Sequence, residues 1–386
     1  MKKKLLSLLL GLSIAVTLVG CGSSNSDSGT STTEATDAAT SDSSAAITGT
    51  YPEEKILIGV ELYDPTESET LAMQEYFAKL SETYNVEFKY SEAIADADAE
   101  MKFVEDCAMA GCKGYFGYYN VTGAQLIQSV IDYEMYFYGY YDEASYEEFA
   151  GDPYYLGCVL AGGNEYDKGK ALGDWVVANG YKNVVYANGG ADFGVGQFVD
   201  RQQGFLDAIG DDVTVTTVGG FPGDQFFADQ AAALSTEGLE AVVASFNGLD
   251  FWAQPIASAG LTDKVALATI GSVNETYLSA FENNSVSLLV SNNIDTYGFV
   301  IPIICNAVDG NANALKTEGK APLLSTDFWI VNNADDCKKL YEVLSGEGVF
   351  TAEQLMTLSV SNNPQASLAT LEELAKTGSI SAVLSK

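Results

Sequence analysis

The chain has 386 residues, with 53 Asp and Glu against 19 Lys and Arg, no His, 6 Cys and 22 Tyr, and a formal charge of −34. Without histidine there is no Ser/His/Asp or Cys/His triad, no His-ligated zinc and no imidazole base, and the negative charge opposes nucleic acid and anionic lipid surfaces. At about 150 residues per domain the length predicts two domains, and 47% hydrophobic residues can supply each with an ordinary core.

Lys2, Lys3 and Lys4 precede an apolar run over 5–19, which has the length of a signal-peptide core and is short for a membrane-spanning helix. The run ends in Leu18-Val19-Gly20-Cys21, which resembles the lipobox of bacterial lipoproteins. The resemblance implies that residues 1–20 are a signal peptide and that the Cys21 thiol carries a diacylglyceryl group. Loss of the three lysines leaves 16 basic against 53 acidic residues, a formal −37. Ser, Thr, Gly, Asp and Ala predominate over 22–50, too few apolar groups to offset the entropy of ordering. Residues 21–50 therefore read as a lipidated tether, spanning on the order of 30 Å as a random coil. No other run reaches 18 apolar residues, so the expectation is a monomer held at the extracytoplasmic face of the cell membrane by its lipid alone. Cys107, Cys112, Cys158, Cys305 and Cys337 are odd in number and lack C-x-x-C spacing; inert buried thiols are expected, although Cys107 and Cys112 are near enough to meet.

From residue 55 the body alternates short apolar runs with amphipathic ones. The spacing predicts strands at 55–60, 86–90, 114–119 and 135–140, with helices at 68–84, 99–110 and 122–132 between them. A second series follows Gly151-Asp152-Pro153, with helices at 166–179, 197–209, 224–235 and 251–259 and strands at 183–187, 213–218, 241–245 and 266–270. A strand at 286–291, a helix at 298–308, a strand at 328–331 and a helix near 366–376 close the chain. Strands of four to eight residues between longer helices argue for βαβ units. The fold class is α/β, two doubly wound parallel-sheet domains joined by a three-strand hinge, with crossings near 155–163, 291–293 and 325–329. The lobes comprise 51–158 plus 293–326 and 159–292 plus 327–386.

Several motifs fail on inspection. Gly194-Val195-Gly196 has Val199 where a dinucleotide fingerprint needs its third Gly, Asn164 replaces the first Gly of a phosphate loop before Lys170, and Ala314 and Lys320 replace the Gly and Glu of a calcium loop begun by Asp309. Asp96, Asp98 and Glu100 read as a helix start. No cofactor, no metal and no enzymatic activity are expected.

Four stretches, in order, resemble the type I periplasmic binding proteins of the ribose and galactose group: Lys55-Ile-Leu-Ile-Gly-Val60, the family's first strand; Asn164 through Gly169 to Gly173, its D-N-x-x-x-G-x-x-x-G segment; Arg201-Gln-Gln-Gly-Phe205, its R-x-x-G-F; and Ser245-Phe-Asn247 with Gly260 downstream. The resemblance covers about 55–330. It implies a receptor that delivers a small solute to an ABC permease and its ATPase, or a sensory receptor of the same fold coupled to a membrane kinase. Gly248 and Ser272 stand where the family carries carboxylates, and Glu143 where it often has Arg.

In open parallel sheets ligands sit beyond the carboxyl ends of the strands. That rule selects Tyr63, Asp64, Asn120, Tyr141, Asp142, Phe193, Asn247, Ser272, Asn274, Asn292 and Asp295, to which the family motif adds Arg201. Amides, carboxylates and rings together suit a neutral sugar-like ligand, and the rings equally suit a nucleoside base. Asn120 and Asn247 have a second reading as helix caps, and Arg201 as a structural ion-pair residue.

Overall fold

The computed structural model describes residues 51–140 and 143–386. The segments read as signal peptide and tether, with Cys21, lie outside the described residues, as do Tyr141 and Asp142. The strands are β1 (Tyr51–Leu62), β2 (Tyr84–Ala93), β3 (Gly114–Gly117), β4 (Tyr136–Tyr140), β5 (Tyr155–Leu160), β6 (Asn183–Gly189), β7 (Thr214–Gly219), β8 (Ala241–Ala244), β9 (Ala266–Gly271), β10 (Leu288–Ser291), β11 (Leu323–Ser325) and β12 (Trp329–Val331). They form two six-stranded sheets, ordered β11-β5-β4-β3-β1-β2 and β12-β10-β9-β8-β6-β7. All pairs are parallel except β12, which runs antiparallel on β10. The two doubly wound sheets are therefore those expected. Two strands of the first sheet were not: β5, whose residues fall in the expected crossing at 155–163, and the edge strand β11, which has no counterpart in the sequence reading.

Alternation within each strand assigns the faces. Phe116 and Tyr138 pack with Met73 and Phe77 of the helix Ser68–Ser81, while their neighbours Tyr115 and Phe137 join Val104, Leu126 and Ile127 of the helices on the opposite face. In the second sheet Val185 and Val242 face one layer, and Val184, Tyr186 and Val243 the other.

The family-like glycines have a packing reason. A Cβ on Gly169 would overlap the Arg201 carbonyl and one on Gly204 the Tyr166 carbonyl, so the helices Glu165–Ala178 and Gly196–Ile209 touch backbone to backbone. Only glycine permits that approach.

The chain passes between the sheets between Leu160 and Glu165, between Ser291 and Ile294, and between Ser325 and Trp329. These crossings touch: Gly162 N donates to Thr326 Oγ1 at 3.1 Å, and a Cβ on Gly162 would lie 2.5 Å from Asn292 Oδ1. Gly162 has φ +83, which an L side chain rarely adopts.

Residues 332–386, of which only one helix was expected, form the helices Ala334–Ser345, Ala352–Met356, Leu368–Lys376 and Ile380–Leu384. The first packs on the helix Glu275–Glu282 of the second lobe. Residues 349–361 lie instead on the first: Tyr76 Oη donates to the Phe350 carbonyl at 2.6 Å, and Asn306 bonds Leu358 O and Val360 N, both at 2.8 Å. Trp329 Nε1 then ties the Gly378 carbonyl back to β12 at 2.8 Å. The tail, placed in the second lobe from sequence, thus touches both. The five described cysteines are free and buried, and no described helix is long and apolar enough to cross a membrane.

Candidate functional site

The carboxyl ends of the two sheets face each other across a seam whose centre is Glu69. Its carboxylate, on the helix after β1, accepts from Ser272 Oγ beyond β9 and from Tyr297 Oη beyond the second crossing, both at 2.7 Å. Tyr297 completes a cluster with Tyr118 and Tyr140, at ring separations of 5.3, 5.5 and 5.0 Å. Burial holds all three hydroxyls well above the usual tyrosine range, so they remain donors. Glu67 lies at the same seam, pushed up to about 7, first by burial and then by the charges of Glu69, Asp64 and Asp250, the last from the opposite lobe.

Beside the seam Glu165 binds two cations: Lys168 Nζ at 3.1 Å and Arg201 Nε. Arg201 Nη1 also donates to the Ser245 carbonyl at 2.7 Å, and its guanidinium lies 5.1 Å from the Phe198 ring centroid. Burial depresses Lys168, against the opposing pull of Glu165. Arg201 thus has the ion-pair partner its second reading required. Asn164 caps this helix by accepting from Asp167 N at 2.7 Å.

Aromatic rings line both sides. On the first lobe Tyr63, 59% exposed, lies 5.3 Å from Tyr119. On the second, Phe193 (73% exposed) sits beside Gly220, and Phe221 (49%) contacts Phe246 at 5.8 Å, which meets Phe251 at 6.0 Å. Phe193, Phe221 and Phe246 follow β6, β7 and β8, and Phe251 lies on the next helix; Phe221, Phe246 and Phe251 form a continuous band.

Most of the polar candidates are engaged locally. Asp64 accepts from Thr66 N and Oγ1 at 2.8 and 2.7 Å, bonds that hold its carboxyl below the ordinary range. Asn120 closes a turn by accepting from Gly123 N at 2.5 Å, and Asn274 caps the helix Glu275–Glu282 by accepting from Tyr277 N at 3.0 Å. Asn247 begins the helix Gly248–Ser258 without a side-chain cap, its Oδ1 accepting from Tyr277 Oη at 3.3 Å. Asn292 is buried at the crossings with Oδ1 unpartnered. Asp295 does not face the seam: it is buried, accepts from Val349 N at 2.5 Å and is pushed up to about 7 by burial. Its position after a strand suggested a cleft residue, but the chain turns at the crossing and points it to the C-terminal segment.

Glu67, Glu69, Tyr118, Tyr140, Phe221, Asp250 and Tyr297 belong to the seam and were not singled out. The strand-end rule reaches only the first loop residues, whereas Glu69 and Asp250 project from the first turns of following helices. An acidic residue two or three positions into a helix was a usable signal.

No family model and no curated protein matches the sequence. Solved structures do match in fold. An ABC transporter periplasmic solute-binding protein from Actinobacillus succinogenes with bound D-allose gives a TM-score of 0.62 at 13% identity, over 74% of this chain and 99% of that one. A galactofuranose-binding protein gives 0.57 at 17% identity, over 74% and 96%. A chain of the XylFII–LytSN complex gives 0.55 at 17%, over 73% and 99%. The chain therefore has the type I periplasmic binding protein fold.

Proposed function

We propose that this protein is an extracytoplasmic solute-binding protein of an ABC transporter, lipid-anchored through Cys21, that closes its two lobes on a neutral sugar-like ligand. The observation that carries the reading is the seam itself: strand ends of two lobes meeting at Glu69, with hydroxyl donors at the floor and exposed rings on both sides. Tyr63, Asn120, Phe193, Asn247 and Asn292, together with the seam acids, form the proposed binding set. Carboxylates and amides accept and donate to hydroxyls, while Tyr63 and Phe193 cover apolar ring faces. The sugars named for the similar structures agree in class.

The continuous band Phe221, Phe246 and Phe251, with Phe193 exposed near Gly220, supports a second reading, a nucleoside whose base stacks along it. A sensory role is the alternative to transport, and the similar structure that is itself a two-protein complex is consistent with it.

A thermal-shift panel on residues 51–386, covering D-allose, galactose, an oligosaccharide series, adenosine, uridine and amino acids, tests both ligand readings. A solute at 100 times its Kd raises stability by about 2.7 kcal/mol, several degrees for domains of this size. Stabilisation by sugars supports the first reading and by nucleosides the second; stabilisation by amino acids alone overturns both.

A further inference from the structure

Behind the first-lobe side of the seam lie two carboxyls that play no part in the binding set. Glu61, near the end of β1, and Glu100, on the helix Ala97–Ala110, are both completely buried. Tyr115 Oη donates to Glu61 Oε2 at 2.7 Å. Glu100 accepts from Val121 N at 2.5 Å, from Thr122 N at 3.0 Å and from Thr122 Oγ1, so one carboxylate fastens the loop that carries Tyr119 and Asn120. Glu61 Oε1 has no donor partner, and the Glu61 carboxyl lies within hydrogen-bonding reach of the Glu100 carboxyl. Among the described residues neither acid forms an ion pair.

Two buried carboxylates in contact, with no cation to compensate them, do not both ionise. Glu100 already receives three donors. The atom left to carry a proton is therefore Glu61 Oε1, and Glu100 is the acceptor beside its carboxyl. We propose that Glu61 and Glu100 share a single proton, and that this bond positions the loop after β3 against the loop after β1, setting Tyr119 beside Tyr63. The shared proton stands independently of the solute-binding reading; only its consequence for a ligand rests on it.

Burial, followed by the bond and charge of Glu100, holds Glu61 up at about 9. The other titratable groups facing the pair are Tyr115, Tyr119 and, beyond Tyr115, Cys107. Burial raises both tyrosines, and the bond to Cys112 raises Cys107, so all three keep their protons where Glu61 loses its own. Above that pH two anions repel and the loop is released.

Infrared spectroscopy of residues 51–386 in heavy water tests the proton directly. At pH 8, where Glu67 and Asp295 have largely ionised, the wild type should show a protonated-carboxyl stretch that Glu61→Gln removes. Hydrogen exchange at Val121 and Thr122, expressed as protection factors, tests the positioning. Protection should fall more than tenfold as pH rises through about 9 in the wild type and stay level in Glu61→Gln, whose amide donates to Glu100 without titrating. Glu100→Gln should lose protection at neutral pH. A carboxyl band unchanged by Glu61→Gln, or wild-type protection that is flat to pH 10.5, overturns the proposal. A panel in which no solute binds would fail the functional reading and leave both readouts intact.

Discussion

The two sides of the seam are built on different physics. On the first lobe the loops are fixed by directional bonds: Asp64 to Thr66, Asn120 to Gly123, and Glu100 to Val121 and Thr122. On the second lobe the band is held by ring packing, with Phe246 at 5.8 to 6.3 Å from Phe221, Phe251, Phe198 and Phe226. Hydrogen bonds to carboxylates fix a loop within a few tenths of an ångström and respond to pH; stacked rings tolerate small shifts and carry no charge. The difference teaches that the first lobe supplies a geometrically defined, proton-sensitive edge and the second a pliable apolar one.

Glu165 is the exception on the second lobe, and its removal should have the largest effect. Glu165→Ala leaves Lys168 and Arg201 buried without the carboxylate they share, which should cost about 3–5 kcal/mol in urea unfolding. A loss below about 1 kcal/mol would mean that ring packing alone holds this side. Phe246→Ala comes next. Its ring is half-buried, so the loss should fall near 2 kcal/mol, below that of a full core phenylalanine, and should be the same at pH 5 and pH 8. A pH-dependent loss would erase the contrast.

Glu67 sharpens the same contrast from the first lobe. Its carboxyl is raised to about 7 in the folded protein, above its unfolded value, so the folded state binds the extra proton. The associated stability is fully present below the unfolded value near 4.5, declines through pH 7 and is gone above it. Glu67→Gln should therefore lessen the fall in melting temperature between pH 4.5 and 8, leaving the part that Asp295, also raised to about 7, contributes, a difference of at most about 2 kcal/mol after solvent screening. An unchanged profile would place the titration elsewhere. The smallest effect on stability belongs to Phe193→Ala. At 73% exposure the ring contributes little to folding, and unfolding should shift by less than about 0.5 kcal/mol. The affinity of whichever solute wins the panel should nevertheless weaken by about 0.5–1.5 kcal/mol, read by calorimetry. Unaltered affinity would remove the second-lobe band from the site.

The sequence by itself determined the two α/β lobes, the chain order of most strands and helices, and the loops that carry the candidate residues. Each of these follows from local periodicity, since a buried strand reads as a short apolar run and a helix as a longer amphipathic one. It also marked Asn164, Gly169 and Gly204, whose capping and backbone contact depend on residue type alone. The tertiary structure decided the rest. Whether Arg201 met a ligand or a carboxylate depended on Glu165, 36 residues earlier. Asp295 sat in the right loop and turned away because Val349, 54 residues later, came to meet it. Glu69 became the centre of the seam only through Ser272 and Tyr297, more than 200 positions distant. A side chain's partners across such separations are set by how helices and sheets stack, and no window on the sequence contains them.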